Sequence, residues 1–394
     1  MSRLEGYEGY EGYEGYEGYE GYEGYEGYEG YAGTMAGRRG AGPSALIPHR
    51  DAIVGAWQAV EPAWPVPALS VGAPANLQRW DPRIRRFLFE SELLSGLYFG
   101  VDPTTGTATL WHGAISVPAA AAPPTGTWAP LVRMCRPPDA ALRPILEKQL
   151  DYLRGYADLR GDRAAEILSQ KGPQFAFWAS VLPLQPSRHP RTFELIGLVL
   201  RLAKYAEMNF KHALCVRRPH ELSAQVQPMI PTPVHGSLPS GHATEAYAVA
   251  RVIFELVSRT PLTPAAVPTP GERQLRQLLL RQAARIAINR TVAGVHFPID
   301  SAAGQLLGLS LGEYFVARCA GGGAAASSVQ AWRFDVAQCV GNPDFTGCEL
   351  FDTMAAARLA TAYATREPGA AQSLDVLGSA NLHWLWEAAT DEWA

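Results

Sequence analysis

Pro239-Ser240-Gly241-His242 leads without interruption into Ala243–Val257, ATEAYAVARVIFELV, a strongly helical run. A helix that opens on Ser-Gly has a hydroxyl for its N-cap and a glycine that lets a ligand approach the backbone. Its first-turn N–H groups have no partner inside the helix and favour an anion. His242 lies in that same turn. Working outward, Lys211 stands seven residues before Arg218-Pro219, and Arg290 stands six before His296, with Asp300 four further on. Seven residues are two helical turns, so Lys211 and Arg218 are expected on one helix face, about 10 Å apart along its axis. Pro219, lacking an N–H, is expected to end that helix. His296 and Asp300, at i and i+4, can meet across one turn, and the carboxylate then fixes the imidazole tautomer. Such a set of histidines, cations and a Ser-Gly turn suits a tetrahedral oxyanion. One histidine can serve as ligand or nucleophile and the other as acid or base.

The surrounding pattern is helical. Ala140–Gly155, Arg163–Lys171, Phe175–Val181 and Arg191–Phe210 each carry a spaced apolar face. Glu272–Asn289, Pro298–Ala317 and Leu350–Ala364 follow between loops marked by Gly or Pro, and Trp80–Ser95 is a further helix. Residues 97–130 hold short β-prone pieces, Leu97–Phe99, Thr107–His112 and Ala114–Val117, enough for one small hairpin. The expected fold is therefore all-α, a helical bundle.

Residues 5–31 are nine Glu-Gly-Tyr triplets. A period of three presents no helical or strand face, and the repeated charge opposes collapse, so 1–34 is expected to be a disordered tail. Neutral expansion of a short DNA repeat explains it, with a tyrosine-rich interaction tail as the functional alternative. Residues 35–75 look like a Gly/Ala/Pro-rich linker that orders towards Trp57 and Trp64. Residues 76–394 are expected to form a single α-helical domain with its catalytic core at about 191–317.

Residues 1–31 hold Arg3 and nine glutamates, so the net charge of −4 leaves a body of about +4. That suits a small anion and is too weak and scattered for nucleic acid. The five cysteines, Cys135, Cys215, Cys319, Cys339 and Cys348, read as those of a reduced intracellular protein. A Cys339–Cys348 disulfide across the Gly341-Asn342-Pro343 turn is the alternative, and no C-x-x-C pair offers a zinc site. Met1-Ser2-Arg3-Leu4 passes straight into glutamates, with no apolar signal segment. Phe193–Ala203 and Ala243–Val257 are broken by charged residues, so neither supplies the roughly 20 apolar residues of a membrane span. The expectation is a cytoplasmic protein with no membrane partner; a homo-oligomer stays open. His49, His112, His189, His212, His220 and His383 match no motif and read as structural or solvent-facing, and Trp384 and Trp386 as packing residues.

Lys211–Pro219, Pro239–His242 and Arg290–Asp300 together resemble a three-part signature shared by two related groups. These are the type 2 phosphatidic acid phosphatases with their soluble acid phosphatase relatives, and the vanadium-dependent haloperoxidases. The resemblance spans about 90 residues and implies an α-helical bundle of that type. It makes His296 the phosphoryl-accepting nucleophile of a phosphatase or the vanadium ligand of a peroxidase. His242 becomes the acid for the leaving alcohol, or the base that assists peroxide. Lys211, Arg218, Arg290, Ser240 and the Gly241 N–H hold the oxyanion, and Asp300 supports His296. Asn289 stands where the phosphatase pattern has serine, and Met208 where haloperoxidases often have tryptophan.

The absence of spans and of a signal peptide, Ala243 after His242, and His235 seven residues earlier favour the haloperoxidase. Bromide-preferring members resemble this chain in having histidine at position 235, so bromide and iodide are the favoured halides. An imidazole there is expected to hydrogen-bond His242. On this reading the cofactor is vanadate, held by His296, and the partners are hydrogen peroxide, halide and a small organic acceptor. The alternative is a soluble phosphatase that hydrolyses phosphomonoesters through a phosphohistidine, without a cofactor. A non-catalytic anion-binding or scaffolding protein is the second alternative.

Overall fold

The computed structural model of the protein describes residues 69–116, 125–172, 174–258, 269–320, 326–347, 351–352, 357–368 and 373–394. They divide into two units, Met1–Arg79 and Trp80–Ala394. In the first, the described residues are 69–79, which end in a 3-10 turn, Pro74–Arg79. The triplet repeats, Trp57, Trp64, His49 and Cys348 all lie outside the described residues, as does any Cys339–Cys348 pairing.

The second unit opens with helix α1, Pro82–Ser95, whose N-terminus is capped by the Asp81 carboxylate. Three antiparallel strands follow: β1, Leu97–Asp102; β2, Thr107–Ser116; and β3, Thr125–Cys135. Helices α2 (Asp139–Ala157), α3 (Arg160–Ser169), α4 (Phe175–Ala179) and α5 (Pro190–Leu214) come next, then the single turn α6 (Pro219–Leu222). The central helices are α7 (Gly241–Ser258), α8 (Pro270–Val292) and α9 (Pro298–Cys319). Beyond them lie β4 (Ala326–Gln330), β5 (Trp332–Asp335), β6 (Phe351–Asp352), β7 (Ala357–Arg358), β8 (Ala364–Arg366), β9 (Ser373–Leu377) and α10 (Ala380–Thr390).

Two expectations are corrected here. The fold is not all-α: β1-β2-β3-β5-β8 form one five-stranded sheet, with β3 and β5 parallel, and β4 pairs with β9. The helix expected over Leu350–Ala364 is absent from its described residues, which supply β6, β7 and the start of β8. The physical reason is long-range pairing. β3 and β5 are some 200 residues apart in sequence, and short strands gain their hydrogen bonds from partners that no local window contains. The helices at 82–95, 139–179, 190–214, 241–258, 270–292 and 298–319 agree with the sequence pattern to within a few residues.

α9 is buried on nearly every side, including Gly304, Gly308 and Gly312. These glycines recur every fourth residue and form one stripe facing α7. A Cβ on Gly308 would lie 2.4 Å from the Thr244 carbonyl oxygen, and one on Gly304 would lie 2.7 Å from the Ala243 Cβ. The two helices therefore meet backbone to backbone. That contact fixes where α7 and α9 begin, and both beginnings carry site residues.

Candidate functional site

Each site residue is held by a local device. α5 ends at Leu214 because Cys215 turns left-handed, at φ 47°. Arg218 is thus not on the Lys211 helix, and Pro219 opens α6 instead of closing α5, because its fixed φ suits a first helical turn. Lys211 and Arg218 converge from a helix and a loop. The Glu221 carboxylate accepts the Arg218 N–H at 2.6 Å and holds the residue at the start of α6. Arg290 lies in the last turn of α8, and Gly294, at φ 81°, turns the chain towards His296. Asp300 does two jobs at the start of α9: its Oδ2 accepts from the Phe297 N–H at 2.9 Å and meets His296 Nδ1 at 3.1 Å.

The structure brings Lys211, Arg218, Ser240, Arg290, His296 and Asp300 together as buried groups. Lys211 Nζ donates to the carbonyls of Gly236 and Ser237, both at 3.3 Å. Arg218 donates to the carbonyls of His235 and Val295, each at 2.9 Å, and its Nη1 lies 3.5 Å from His296 Nε2. Arg290 Nη2 donates to Gln170 Oε1 at 2.7 Å. Arg290 Nε and Nη1 and the Ser240 hydroxyl are buried with no partner among the described residues. Burying cationic N–H groups unpaired is costly, and an anion at this place could supply the missing acceptors.

The titrations follow from burial. Desolvation, with Arg218 nearby, pushes the Lys211 ammonium down to about 7. Desolvation lowers Arg218 and Arg290 to about 10, where both stay charged. His296 and His242 are held well below the usual imidazole range, first by burial and next by Arg218 and Arg290 respectively. Burial raises Asp300 to about 6, against the Phe297 N–H and Lys211. At neutral pH Asp300 is thus mostly ionised and accepts a hydrogen bond from Nδ1–H of a neutral His296, which leaves the lone pair on Nε2.

These values give a testable pH dependence. Sulfate, a dianion throughout, is expected to bind more weakly as pH rises through about 7, where the free site loses the Lys211 proton. Asp300, ionising near 6, acts in the same direction on the acid side. Lys211→Met should flatten the step in a calorimetric titration over about pH 5.5 to 9. An affinity that rises with pH would overturn the assignment.

Several sequence expectations are corrected by these contacts. Ser240 does not cap α7 through its side chain; its N–H donates to the Asp300 carbonyl at 2.9 Å, which ties α7 to α9. Gly241 is small because of Glu207: a Cβ there would lie 2.8 Å from the Glu207 Oε1. His235 hydrogen-bonds Arg218 Nη2 at 3.2 Å and not His242, whose Nε2 meets the Gln170 carbonyl at 3.0 Å. Burial, Lys211 and Arg218 push the His235 imidazole down to about 4. Ala243 packs beneath Gly304, so its small size answers to helix packing. Asn289 donates to Gln170 Oε1 at 3.0 Å, beside Arg290 on the same acceptor.

Three residues around the site escaped the sequence reading. Glu221, three after Arg218, and Glu207, four before Lys211, sit at spacings that could have flagged them. Gln170 had no local signal. Of the unassigned histidines, His112 bonds the Gly96 carbonyl, His383 bonds the Cys319 carbonyl, and His189 stacks on Trp393, all structural roles. Cys135, Cys215, Cys319 and Cys339 are free thiols.

Among the described residues no helix is long and apolar enough to cross a membrane, and no group of three or more His, Cys, Asp or Glu side chains could hold a metal ion. No curated protein matches the chain. Among solved structures, it is similar to the transmembrane PAP2 type phosphatidylglycerolphosphate phosphatase from Bacillus subtilis. The identity is 19%, the match covers 44% of this chain and 81% of that one, and the TM-score is 0.27. The family described as PAP2 superfamily matches residues 195–319. That span contains Lys211 on α5, His242 on α7, Arg290 on α8, Asp300 on α9, and Arg218 and His296 in the turns before α6 and α9: residues 195–319 are a PAP2 superfamily domain.

Proposed function

We propose that the chain is a phosphatase-type enzyme that moves a phosphoryl group from a phosphomonoester onto His296 and then to water. The observation that carries this reading is the placement of His296, with Asp300 on Nδ1 and Nε2 turned to the buried cations. Lys211, Arg218, Arg290 and the Ser240 hydroxyl bind the three non-bridging oxygens and balance their charge. His296 Nε2 forms a bond to phosphorus as the P–O bond to the leaving group breaks. The Nδ1 proton stays on the ring, hydrogen-bonded to the Asp300 carboxylate, whose charge stabilises the cation that develops there. With the phosphoryl dianion bound, His242 carries a proton on Nδ1 as well and gives it to the leaving oxygen; in the second half Nδ1 takes one back from the water that attacks phosphorus and frees His296.

The haloperoxidase resemblance implies a vanadate cofactor, and the unpaired Arg290 Nε and Nη1 and Ser240 hydroxyl fit that oxyanion as well as phosphate. His296 would hold it, with Lys211, Arg218, Ser240, Gly241 and Arg290 around its oxygens. When bound, it would supply activation of hydrogen peroxide for halide oxidation. His235 against Arg218 favours this second reading, because it is the histidine of the bromide-preferring relatives. One assay separates the readings: purified protein, with and without vanadate, tested for aryl phosphate hydrolysis and for peroxide-dependent bromination. Phosphate release that vanadate inhibits is the expected result. Bromination on adding vanadate would instead establish the peroxidase, and neither activity would leave an anion-binding protein.

A further inference from the structure

We propose that Gln170, at the end of α3, is a positioning residue for the reaction: it aims the Arg290 guanidinium and sets the tautomer of His242. The proposal rests on the reading of the site as an oxyanion pocket. Gln170 is fully buried and lies outside the three motifs, 72 residues before His242 and 120 before Arg290.

Its side chain acts on Arg290. Gln170 Oε1 accepts from Arg290 Nη2 at 2.7 Å, and the guanidinium's Nε and Nη1 have no partner among the described residues. A guanidinium is a rigid planar fork, so anchoring Nη2 fixes the direction of the other N–H groups. The amide cannot turn over. Asn289 Nδ2 donates to the same Oε1 at 3.0 Å, and Gln170 Nε2 donates to Glu166 Oε1 at 3.1 Å. A flipped amide would set its NH2 against two donors and its oxygen against the Glu166 carboxylate. Glu166 is itself held by Arg285 at 2.7 Å, and Asn289 Oδ1 accepts from Arg163 Nη1 at 3.2 Å.

The backbone of Gln170 acts on His242. Gln170 follows the last residue of α3, where helix carbonyls lack intrahelical partners. Its carbonyl meets His242 Nε2 at 3.0 Å. A carbonyl only accepts, so Nε2 carries the hydrogen and the neutral ring keeps its lone pair on Nδ1. The negative end of the α3 dipole favours the imidazolium when the ring takes up a proton. One residue thus braces groups from two motifs, by its side chain and its main chain separately.

That separation supplies the test. Gln170→Met removes the amide, keeps most of its volume and leaves the carbonyl on His242. The probe is inorganic phosphate, its Kd measured by calorimetry on the full chain. Gln170→Met is expected to weaken binding about tenfold, the loss of one charge-assisted hydrogen bond's worth of orientation. In an Arg290→Lys background, where no fork remains to be aimed, the same change should shift Kd less than about twofold. If Gln170→Met does not fold, Gln170→Asn, which keeps an amide but shortens its reach, is expected to give the same pattern. Unchanged phosphate affinity in the single variant would overturn the proposal. An equal loss in both backgrounds would also overturn it, by showing a general structural role. Wild-type protein that binds no phosphate would sink the oxyanion reading itself, and this proposal with it.

Discussion

Replacing His296 with alanine is expected to lower turnover at least 10³-fold, about 4 kcal/mol in the barrier. His296 Nε2 keeps its lone pair beside the Arg218 guanidinium, because Asp300 engages Nδ1 at 3.1 Å. Without it the oxyanion can still be held by Lys211, Arg218 and Arg290, so the variant should bind phosphate while failing to turn over substrate. Asp300→Asn is expected to cost less, about 10- to 100-fold, since an amide still reaches the ring but does not balance its charge. Rapid quenching of a ³²P-labelled aryl phosphate reaction should trap acid-labile label on wild type and none on His296→Ala. A variant that keeps more than about a tenth of wild-type turnover, under ~1.4 kcal/mol of barrier, would remove His296 from the role.

Gly308→Ala is expected to be the most damaging change away from the site chemistry. The new Cβ would lie 2.4 Å from the Thr244 carbonyl oxygen, 2.9 Å from the Tyr247 Cβ and 3.0 Å from the Ala248 nitrogen. Two of these are backbone atoms inside α7 and cannot swing aside, so the helices must part. Overpacking of this kind costs roughly 3 kcal/mol, and in a domain of this size that lowers Tm by about 5 °C. Because α7 opens on Ser240-Gly241-His242 and α9 on the turn holding Asp300, phosphate affinity should fall with it. Gly197→Ala in α5 is the control. No atom lies within 4 Å of its Cβ, so it should be neutral or gain up to about 1 kcal/mol from helix propensity. Equal melting temperatures for the two variants would contradict the close packing of α7 on α9.

The sequence by itself determined the central helices and the candidate residues gathered near their ends. Ala243–Val257 and Pro298–Ala317 are long apolar runs whose starts are marked by Ser-Gly and by Phe-Pro, signals that act over one turn. His296 and Asp300 meet as their spacing required, since i and i+4 on a helix start are neighbours whatever surrounds them. Tertiary structure decided everything that needed a partner from afar. The sheet joins β3 to β5 across the whole helical core, and segments too short to declare themselves become strands by pairing. Arg218 left the Lys211 helix because Cys215 turned left-handed and Glu221 nucleated a new turn. His235 went to Arg218, and the Gln170 carbonyl took His242. Gln170 itself carries no local mark: its role comes from the fold of α3 against α7 and α8, because a hydrogen bond has a range of about 3 Å in space and none in sequence.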